Sequence, residues 1–173
     1  MLKVIVNMEI GLLNNEDFEF LINLLSNNKG LSKSEFEILK SKHPYAVEEK
    51  NNPLIKSTRK HYGKGDESLN SFLLNRFSNK NSDIDFLYEL TYNIGDYSNP
   101  HYDKKVITQT TLILLSDNFE GGNLLIDGSD VGFNKKRMYI NFEGSKHLHE
   151  IKPVEFGKRI VLVVMFNKGK QLL

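Results

Sequence analysis

The sequence has no cysteine among its 173 residues, which excludes a disulfide framework and any metal site built on thiolates. A metal ion in this protein would have to be bound by histidine and carboxylate side chains. A dominant charge is also missing, because 23 Lys and Arg against 22 Asp and Glu give a formal net charge of +1. Such a chain has no overall field that draws it to nucleic acid or to an anionic membrane, and we expect neither partner.

Long hydrophobic runs are absent as well, since no segment approaches the length of a membrane span. The apolar stretch MLKVIVNMEIGLL is interrupted by Glu9, and no small-residue cleavage site follows it. We interpret it as a first strand over residues 4–6 and expect a cytoplasmic protein. With 39% hydrophobic and 26% charged residues, 1–173 is expected to form one domain.

The first half of the chain has the pattern of helices. Apolar residues recur with a period near 3.6 from residue 18 to residue 25, after a polar capping sequence. A helix rich in Lys and Glu is predicted over 32–40, and another over 68–77. Between them, residues 43–65 have the Pro-, Gly- and Lys-rich composition of a loop or mobile segment.

From Ile84 onward the pattern changes to short segments rich in β-branched and aromatic residues, separated by Gly, Asn or Asp. Segments at this spacing are typical of an antiparallel sandwich or roll. We therefore predict an α+β fold with a double-stranded β-helix (jelly roll) over residues 84–168. The helical N-terminal part, residues 1–80, is expected to pack its helices on one face of that core.

The stretch NPHYDKKV places His101 and Asp103 two residues apart. Residues i and i+2 of an extended strand project from the same face, so a nitrogen and an oxygen ligand would point to one place. A third ligand is available downstream only at His147 or His149. Two histidines and one carboxylate form the facial triad of non-haem Fe(II) oxygenases, which leaves three positions of an octahedral ion open. A polar loop is the alternative interpretation of this stretch.

From about Leu87 to Phe166 the residues resemble the 2-oxoglutarate-dependent Fe(II) dioxygenases, specifically the prolyl 4-hydroxylase-like branch. The resemblance rests on three motifs in this order: Tyr92, Gly95 and Tyr97 before His-x-Asp, Gly121-Gly122 after the next hydrophobic strand, and the string HEIKPVEFGKR over residues 149–159. Each motif lies on or beside a predicted strand, which is where the family has them.

The resemblance implies three metal ligands that are also the catalytic residues: His101, Asp103 and His149. It implies that Arg159 pairs with the far carboxylate of 2-oxoglutarate, and a planar guanidinium fork does match a carboxylate. Tyr92 is a further candidate for the co-substrate pocket. The family often has a tyrosine where Leu114 stands and a tryptophan where Met165 stands, so Thr110 is a second candidate for the missing hydroxyl contact.

The implied reaction is hydroxylation of a C–H bond while 2-oxoglutarate is decarboxylated to succinate. Fe(II), 2-oxoglutarate and O₂ are the implied cofactor and co-substrates, with ascorbate as a further candidate. Asp103 favours hydroxylation or another oxidation, because halogenating relatives lack that carboxylate. A peptidyl proline is the first expectation for the substrate, and a free amino acid or other small molecule is the alternative. Arg59, in the segment 55–65, and Tyr88 are the candidates for contact with the substrate.

Three other interpretations stay open at the level of sequence. His147 competes with His149, since both could face the metal, and a three-histidine centre would suit a cupin or a zinc hydrolase. Arg159 could be a surface residue, although a charge at the edge of the apolar run IVLVVMF should have a partner. His43 and His61 lie in loop-like sequence, so we expect them at the surface or in a substrate loop rather than among the metal ligands. A non-catalytic jelly-roll module that binds metal is the alternative from another class of function.

Overall fold

The computed structural model describes residues 8–42, 55–63, 66–78 and 82–169. The strand expected over residues 4–6 and His43 lie outside these described residues. Three helices occur within them: α1 (Asn15–Asn27), α2 (Lys33–Lys42) and α3 (Glu67–Phe77). In the part of the chain that is described, no helix has both the length and the apolar character needed to cross a membrane.

Side-chain caps explain where the helices begin. The Asn14 side chain accepts a hydrogen bond of 2.7 Å from the backbone N–H of Asp17, which opens α1. The Asp66 side chain does the same for Leu69 at 3.0 Å, which opens α3. A capping oxygen satisfies an N–H group that has no partner inside the helix. All three helices lie close to the ranges that the sequence pattern predicted.

Two antiparallel sheets form the β-rich part of the protein. The larger sheet has six strands in the order β1 (Glu9–Leu12), β10 (Met138–Phe142), β6 (Ile107–Leu114), β13 (Arg159–Lys168), β4 (Ser82–Tyr92) and β3 (Thr58–His61). The smaller sheet has five strands in the order β2 (Ile55–Lys56), β5 (Tyr97–His101), β11 (His149–Ile151), β8 (Leu124–Ile126) and β9 (Ser129–Asp130). A separate pair joins β12 (Val154–Gly157) to β7 (Phe119–Gly121). This arrangement confirms the predicted jelly-roll-like core.

The central strand β13 shows how the core is divided. Its odd-numbered residues from Val161 to Met165 belong to an inner core shared by both sheets. Its even-numbered residues from Leu162 to Phe166 belong to an outer core shared with α1 and α3. Successive residues of a strand point to opposite faces, so one continuous apolar run supplies both cores. Packing of the N-terminal helices as a group stays a prediction.

The segment that follows residue 54 is ordered as strand, which corrects the expectation of a loop there. β2 pairs with β5 in the smaller sheet, and β3 pairs with β4 in the larger one. Consecutive residues 55–61 therefore cross from the edge of one sheet to the edge of the other. The Lys-rich composition that suggested a loop is also normal for exposed edge strands, where lysine discourages pairing with another chain.

Candidate metal centre

The two histidines that were predicted as ligands lie side by side on neighbouring strands of the smaller sheet. His101 ends β5, His149 begins β11, and the two are direct partners in the strand register. Side chains at such paired positions lie close together on one face, and the two imidazole centres are 4.3 Å apart. Asp103 comes two residues after β5, and its Oδ1 is 3.6 Å from Nε2 of His149. Nitrogen or oxygen atoms of all three side chains lie within 4.8 Å of one another.

Both imidazoles are oriented by backbone carbonyl groups. Nδ1 of His101 is 2.8 Å from the carbonyl oxygen of Asn99, and Nδ1 of His149 is 2.9 Å from that of His147. A carbonyl oxygen can only accept, so we assign the ring proton of each histidine to Nδ1. Each Nε2 then has a free lone pair, as a metal ligand requires.

Burial also keeps His149 in the form that binds metal. Desolvation lowers the pKa of His149, and the neighbouring Asp103 carboxylate opposes that shift without reversing it. The contact between His149 and Asp103 therefore joins a neutral imidazole to a carboxylate and is not an ion pair. Phe142 packs against the His149 ring with centres 5.1 Å apart, which adds to its desolvation.

The Asp103 carboxylate is fixed on its Oδ2 side. Thr110 donates a hydrogen bond of 2.5 Å from its hydroxyl to Oδ2, and the backbone N–H of Asp103 donates to the carbonyl of Gly144 at 2.9 Å. A Cβ atom at position 144 would be 1.9 Å from Oδ2, so only glycine fits there. Gly144 was not predicted as part of the site, and its only signal in the sequence is a glycine five residues before His149.

The Arg159 side chain is fully buried, and its guanidinium has no hydrogen-bonding partner among the described residues. Its exposed fraction is 0%, and none of its three guanidinium nitrogens bonds to any described residue. The Cζ atom lies 5.5 Å from the centre of the Tyr92 ring and 5.7 Å from that of Phe133. Burial lowers the pKa of Arg159 to about 10, so the group stays cationic at neutral pH. A buried cation is costly unless it is paired, so the site is built for an anion.

One cavity of about 290 Å³ contains both the three clustered side chains and Arg159. Most of its other lining residues are apolar and come from the inner core: Phe86, Leu90, Ile107, Leu112, Leu124, Ile151, Val161, Val163 and Met165. Two imidazoles and a carboxylate suit Fe(II), and an unpaired guanidinium suits the far carboxylate of 2-oxoglutarate. The residues present therefore fit both groups.

The other predicted pocket residues lie in the same cavity. Tyr92 is 2% exposed, and burial raises its pKa, so it keeps its phenolic proton. Thr110 lines the cavity, but its hydroxyl hydrogen is used on Asp103, and contact with 2-oxoglutarate through it stays a prediction. Leu114 is buried in the inner core and Met165 lines the cavity, so apolar atoms stand at both positions where the sequence departs from the family.

The two candidates for substrate contact lie next to each other. The Cζ atom of Arg59 is 5.2 Å from the centre of the Tyr88 ring, and Tyr88 lines the cavity. His61 contacts the same ring, with centres 5.4 Å apart. The structure thus brings Arg59 and Tyr88 together beside the candidate metal centre, while their roles toward a substrate stay predictions.

His147 is engaged elsewhere. Its Nδ1 is 2.8 Å from Oδ2 of Asp127, whose Oδ1 also accepts a hydrogen bond from the backbone N–H of Leu148 at 3.1 Å. His147 is not among the three side chains that cluster as possible metal ligands in the described part of the chain. It contributes its carbonyl oxygen, which orients His149. The structure therefore groups His149 with His101 and Asp103, and the choice of His149 over His147 as a metal ligand stays a prediction.

Solved structures of known proteins have the same fold. The viral collagen prolyl hydroxylase of Paramecium Bursaria Chlorella virus-1, in its 2OG complex, matches with a TM-score of 0.61 and 16% identity, over 94% of this chain and 96% of that chain. A Trichoplax adhaerens prolyl hydroxylase, in complex with a hypoxia inducible factor oxygen degradation domain peptide fragment, matches with a TM-score of 0.52 and 14% identity, over 93% of this chain and 83% of that one.

A third match is shorter. This chain spans about half, 52%, of an oxidoreductase of the 2OG-Fe(II) oxygenase family from Burkholderia pseudomallei, with a TM-score of 0.47 and 18% identity over 60% of this chain. No protein-family model and no curated protein matches the sequence. The chain therefore has the fold of these prolyl hydroxylases.

Proposed function

We propose that this protein is an Fe(II)- and 2-oxoglutarate-dependent dioxygenase that hydroxylates a C–H bond of a peptidyl proline. One observation supports the class of reaction above all others. The buried guanidinium of Arg159, which has no hydrogen-bonding partner in the described part of the chain, lies in the same cavity as the clustered donor atoms of His101, Asp103 and His149. A metal ion held by the three clustered side chains, together with the Arg159 cation in the same cavity, would match a dicarboxylate that has a 2-oxo group.

Each of these residues has a definite role in the proposal. His101 and His149 would hold Fe(II) through Nε2, and Asp103 through a carboxylate oxygen. When bound, the iron would activate O₂ and supply the oxidising power for hydroxylation as 2-oxoglutarate is decarboxylated to succinate. Arg159 would bind the far carboxylate and so fix the orientation of the co-substrate, which reduces the entropic cost of reaching the reactive geometry.

The rest of the cavity keeps water away and supplies one further hydrogen-bond donor. Its lining from the inner core is apolar, which strengthens the electrostatic attraction between a bound carboxylate and Arg159. Tyr92 keeps its phenolic proton because of burial, so it can donate to an anionic ligand. No general base is required of the protein in this proposal, since bound iron would supply the oxidising power.

The proposed substrate, a peptidyl proline, is supported by the neighbours in the fold, two of which are described as prolyl hydroxylases. The Arg59 and Tyr88 pair at the side of the cavity provides a cation and an aromatic ring that could hold a peptide segment. A free amino acid or another small molecule is the alternative. We further propose that residues 1–173 act as one catalytic domain in the cytoplasm.

An anaerobic titration with Fe(II) and 2-oxoglutarate tests the proposed site. We expect the weak visible charge-transfer band that forms when a 2-oxo acid chelates iron through two open positions. Arg159→Ala should lose the band at the same co-substrate concentration, while Arg76→Ala, which changes a partly exposed arginine on α3, should keep it. A wild-type protein that binds Fe(II) but never gives the band would overturn the proposal.

Turnover assays test the substrate. Succinate formation from 2-oxoglutarate should be stimulated by a proline-containing peptide, and the peptide should gain one oxygen atom by mass spectrometry. Free proline and the same peptide with alanine in place of proline are the matched controls. Asp103→Ala should give no turnover, and a non-catalytic metal-binding module would give none in the wild type. Parallel assays with and without ascorbate show whether it sustains activity.

A further inference from the structure

The two oxygens of the Asp103 carboxylate have different surroundings. Oδ1 faces Nε2 of His149 at 3.6 Å, on the side where the three candidate ligands meet. Oδ2 accepts the 2.5 Å hydrogen bond from the hydroxyl of Thr110. The carboxylate is buried, with 5% of its side-chain surface exposed, so this hydrogen bond is formed away from bulk water. Hydrogen bonds to a charged acceptor in such surroundings are among the stronger ones in proteins.

A backbone contact closes the same side. A Cβ atom added to Gly144 would be 1.9 Å from Oδ2 and 2.8 Å from the Thr110 hydroxyl oxygen. The carbonyl of Gly144 also accepts the backbone N–H of Asp103 at 2.9 Å. Thr110 and Gly144 together leave Oδ2 little room to rotate toward the cavity.

We propose that Thr110 is a positioning residue that holds Asp103 as a one-oxygen ligand and so keeps a coordination position open for O₂. This inference rests on the proposed function. A carboxylate can bind a metal ion through one oxygen or through both. If both Asp103 oxygens bound the ion, the two imidazoles and Asp103 would take four coordination positions. A chelating 2-oxoglutarate would then take the last two positions of an octahedral ion. If only one Asp103 oxygen bound the ion, a single coordination position would stay open. The Thr110 hydrogen bond to Oδ2 selects that arrangement.

Nitric oxide is the probe for the open position, because it binds Fe(II) where O₂ would bind and the product is seen by electron paramagnetic resonance. The titration uses the full chain, anaerobically, with Fe(II) and 2-oxoglutarate at saturation. Thr110→Val removes the hydroxyl and keeps the β-branched shape, and Thr110→Ser keeps the hydroxyl. Thr111→Val is the matched control, since the Thr111 hydroxyl donates to Asn141 at 2.7 Å and Thr111 is equally buried on the next position of β6.

Thr110→Val should weaken nitric oxide binding to the complex of Fe(II) and 2-oxoglutarate by about 10-fold or more, the lower end of typical effects for residues that orient a metal ligand. Thr110→Ser and Thr111→Val should bind it as the wild type does. Rescue by serine distinguishes positioning through a hydrogen bond from a general packing role. If Thr110→Val does not fold, Thr110→Ala, which removes the same hydroxyl without added volume, replaces it.

The outcomes separate this inference from the proposed function. A wild type that binds 2-oxoglutarate and nitric oxide, with Thr110→Val binding both equally well, overturns the role of Thr110 and leaves the dioxygenase proposal standing. Loss of nitric oxide binding in Thr111→Val as well overturns the role too, because the effect would not be specific to Oδ2. A wild type that gives no 2-oxoglutarate band overturns the proposed function, and this inference with it.

Discussion

The guanidinium of Arg159 lies 5.5 Å from the ring of Tyr92, its register partner on β4, and has no hydrogen bond to any described residue. Contact of a cation with an aromatic face recovers part of the electrostatic cost of burial, but much less than a carboxylate would. The protein therefore carries an unsatisfied charge in its core. Such an arrangement is typical of a site that gives up stability for binding.

Replacing Arg159 by methionine should stabilise the ligand-free protein and destroy co-substrate binding. Methionine fills similar volume without a charge, so we expect the free energy of unfolding in urea to rise by about 1 kcal/mol or more. Affinity for 2-oxoglutarate should fall by at least about 30-fold, since truncation of a buried charge partner costs about 2–5 kcal/mol. A variant that is less stable than the wild type and binds 2-oxoglutarate normally would contradict the role of Arg159.

Gly122 should be needed for two separate reasons: its backbone conformation, and the space that it leaves for the Arg159 side chain. Gly122 has φ of +61°, and a Cβ atom there would be 2.9 Å from Cδ of Arg159. Gly132 has a similar φ of +68° with no atom within 4 Å, so Gly132→Ala carries the same backbone strain of about 1–2 kcal/mol without the clash. Only Gly122→Ala should weaken the charge-transfer titration with 2-oxoglutarate. Equal titrations for the two alanine variants would show that Arg159 adjusts freely.

The two downstream histidines should differ sharply in metal binding. His149→Ala removes an Nε2 donor from the cluster and should weaken Fe(II) affinity, measured by anaerobic equilibrium dialysis, by about 100-fold or more. His147→Ala leaves in place the carbonyl that orients His149, and its affinity should stay within a few-fold of the wild type. The reverse pattern would reassign the third ligand to His147.

His61 should make the fold sensitive to acid. Burial, with a smaller contribution from Arg59, lowers the pKa of His61 from its ordinary 6.5 to about 4. The unfolded chain therefore binds more protons than the folded one between these two values, and the free energy of unfolding falls as the pH is lowered through that window. His61 is only half-buried, so we expect a loss of about 1–2 kcal/mol.

His61→Gln isolates this contribution, because the other groups that titrate in the same range are present in both proteins. Urea unfolding at about pH 7.5 and about pH 4.5 should show a smaller loss of stability for the variant than for the wild type. Identical losses would mean that His61 is protonated in the folded protein. Far-UV circular dichroism at both pH values shows that each protein starts folded.

Much of the fold was readable from local pattern. The 3.6 period gave α1, and the continuous apolar run at residues 160–166 gave β13, because side-chain burial repeats along a single element. The strands β2 and β3 were missed. Their stability depends on hydrogen bonds to β5 and β4, residues far along the chain, and nothing in their own composition records those bonds.

The sequence by itself determined which side chains are available for the chemistry. Without cysteine, a metal site had to come from histidine and carboxylate. The spacing of His101 and Asp103 predicted two ligands on one face, and the resemblance to the dioxygenases implied His149 and Arg159; the structure has all four side chains in the lining of one cavity. Only the tertiary structure decided what surrounds them. Three features depend on residues that meet through strand pairing: the Arg159 guanidinium has no hydrogen-bonding partner among the described residues, Thr110 donates to Asp103, and Gly144 leaves space for the Asp103 carboxylate. Such contacts are set by the register of distant strands, which local spacing does not encode.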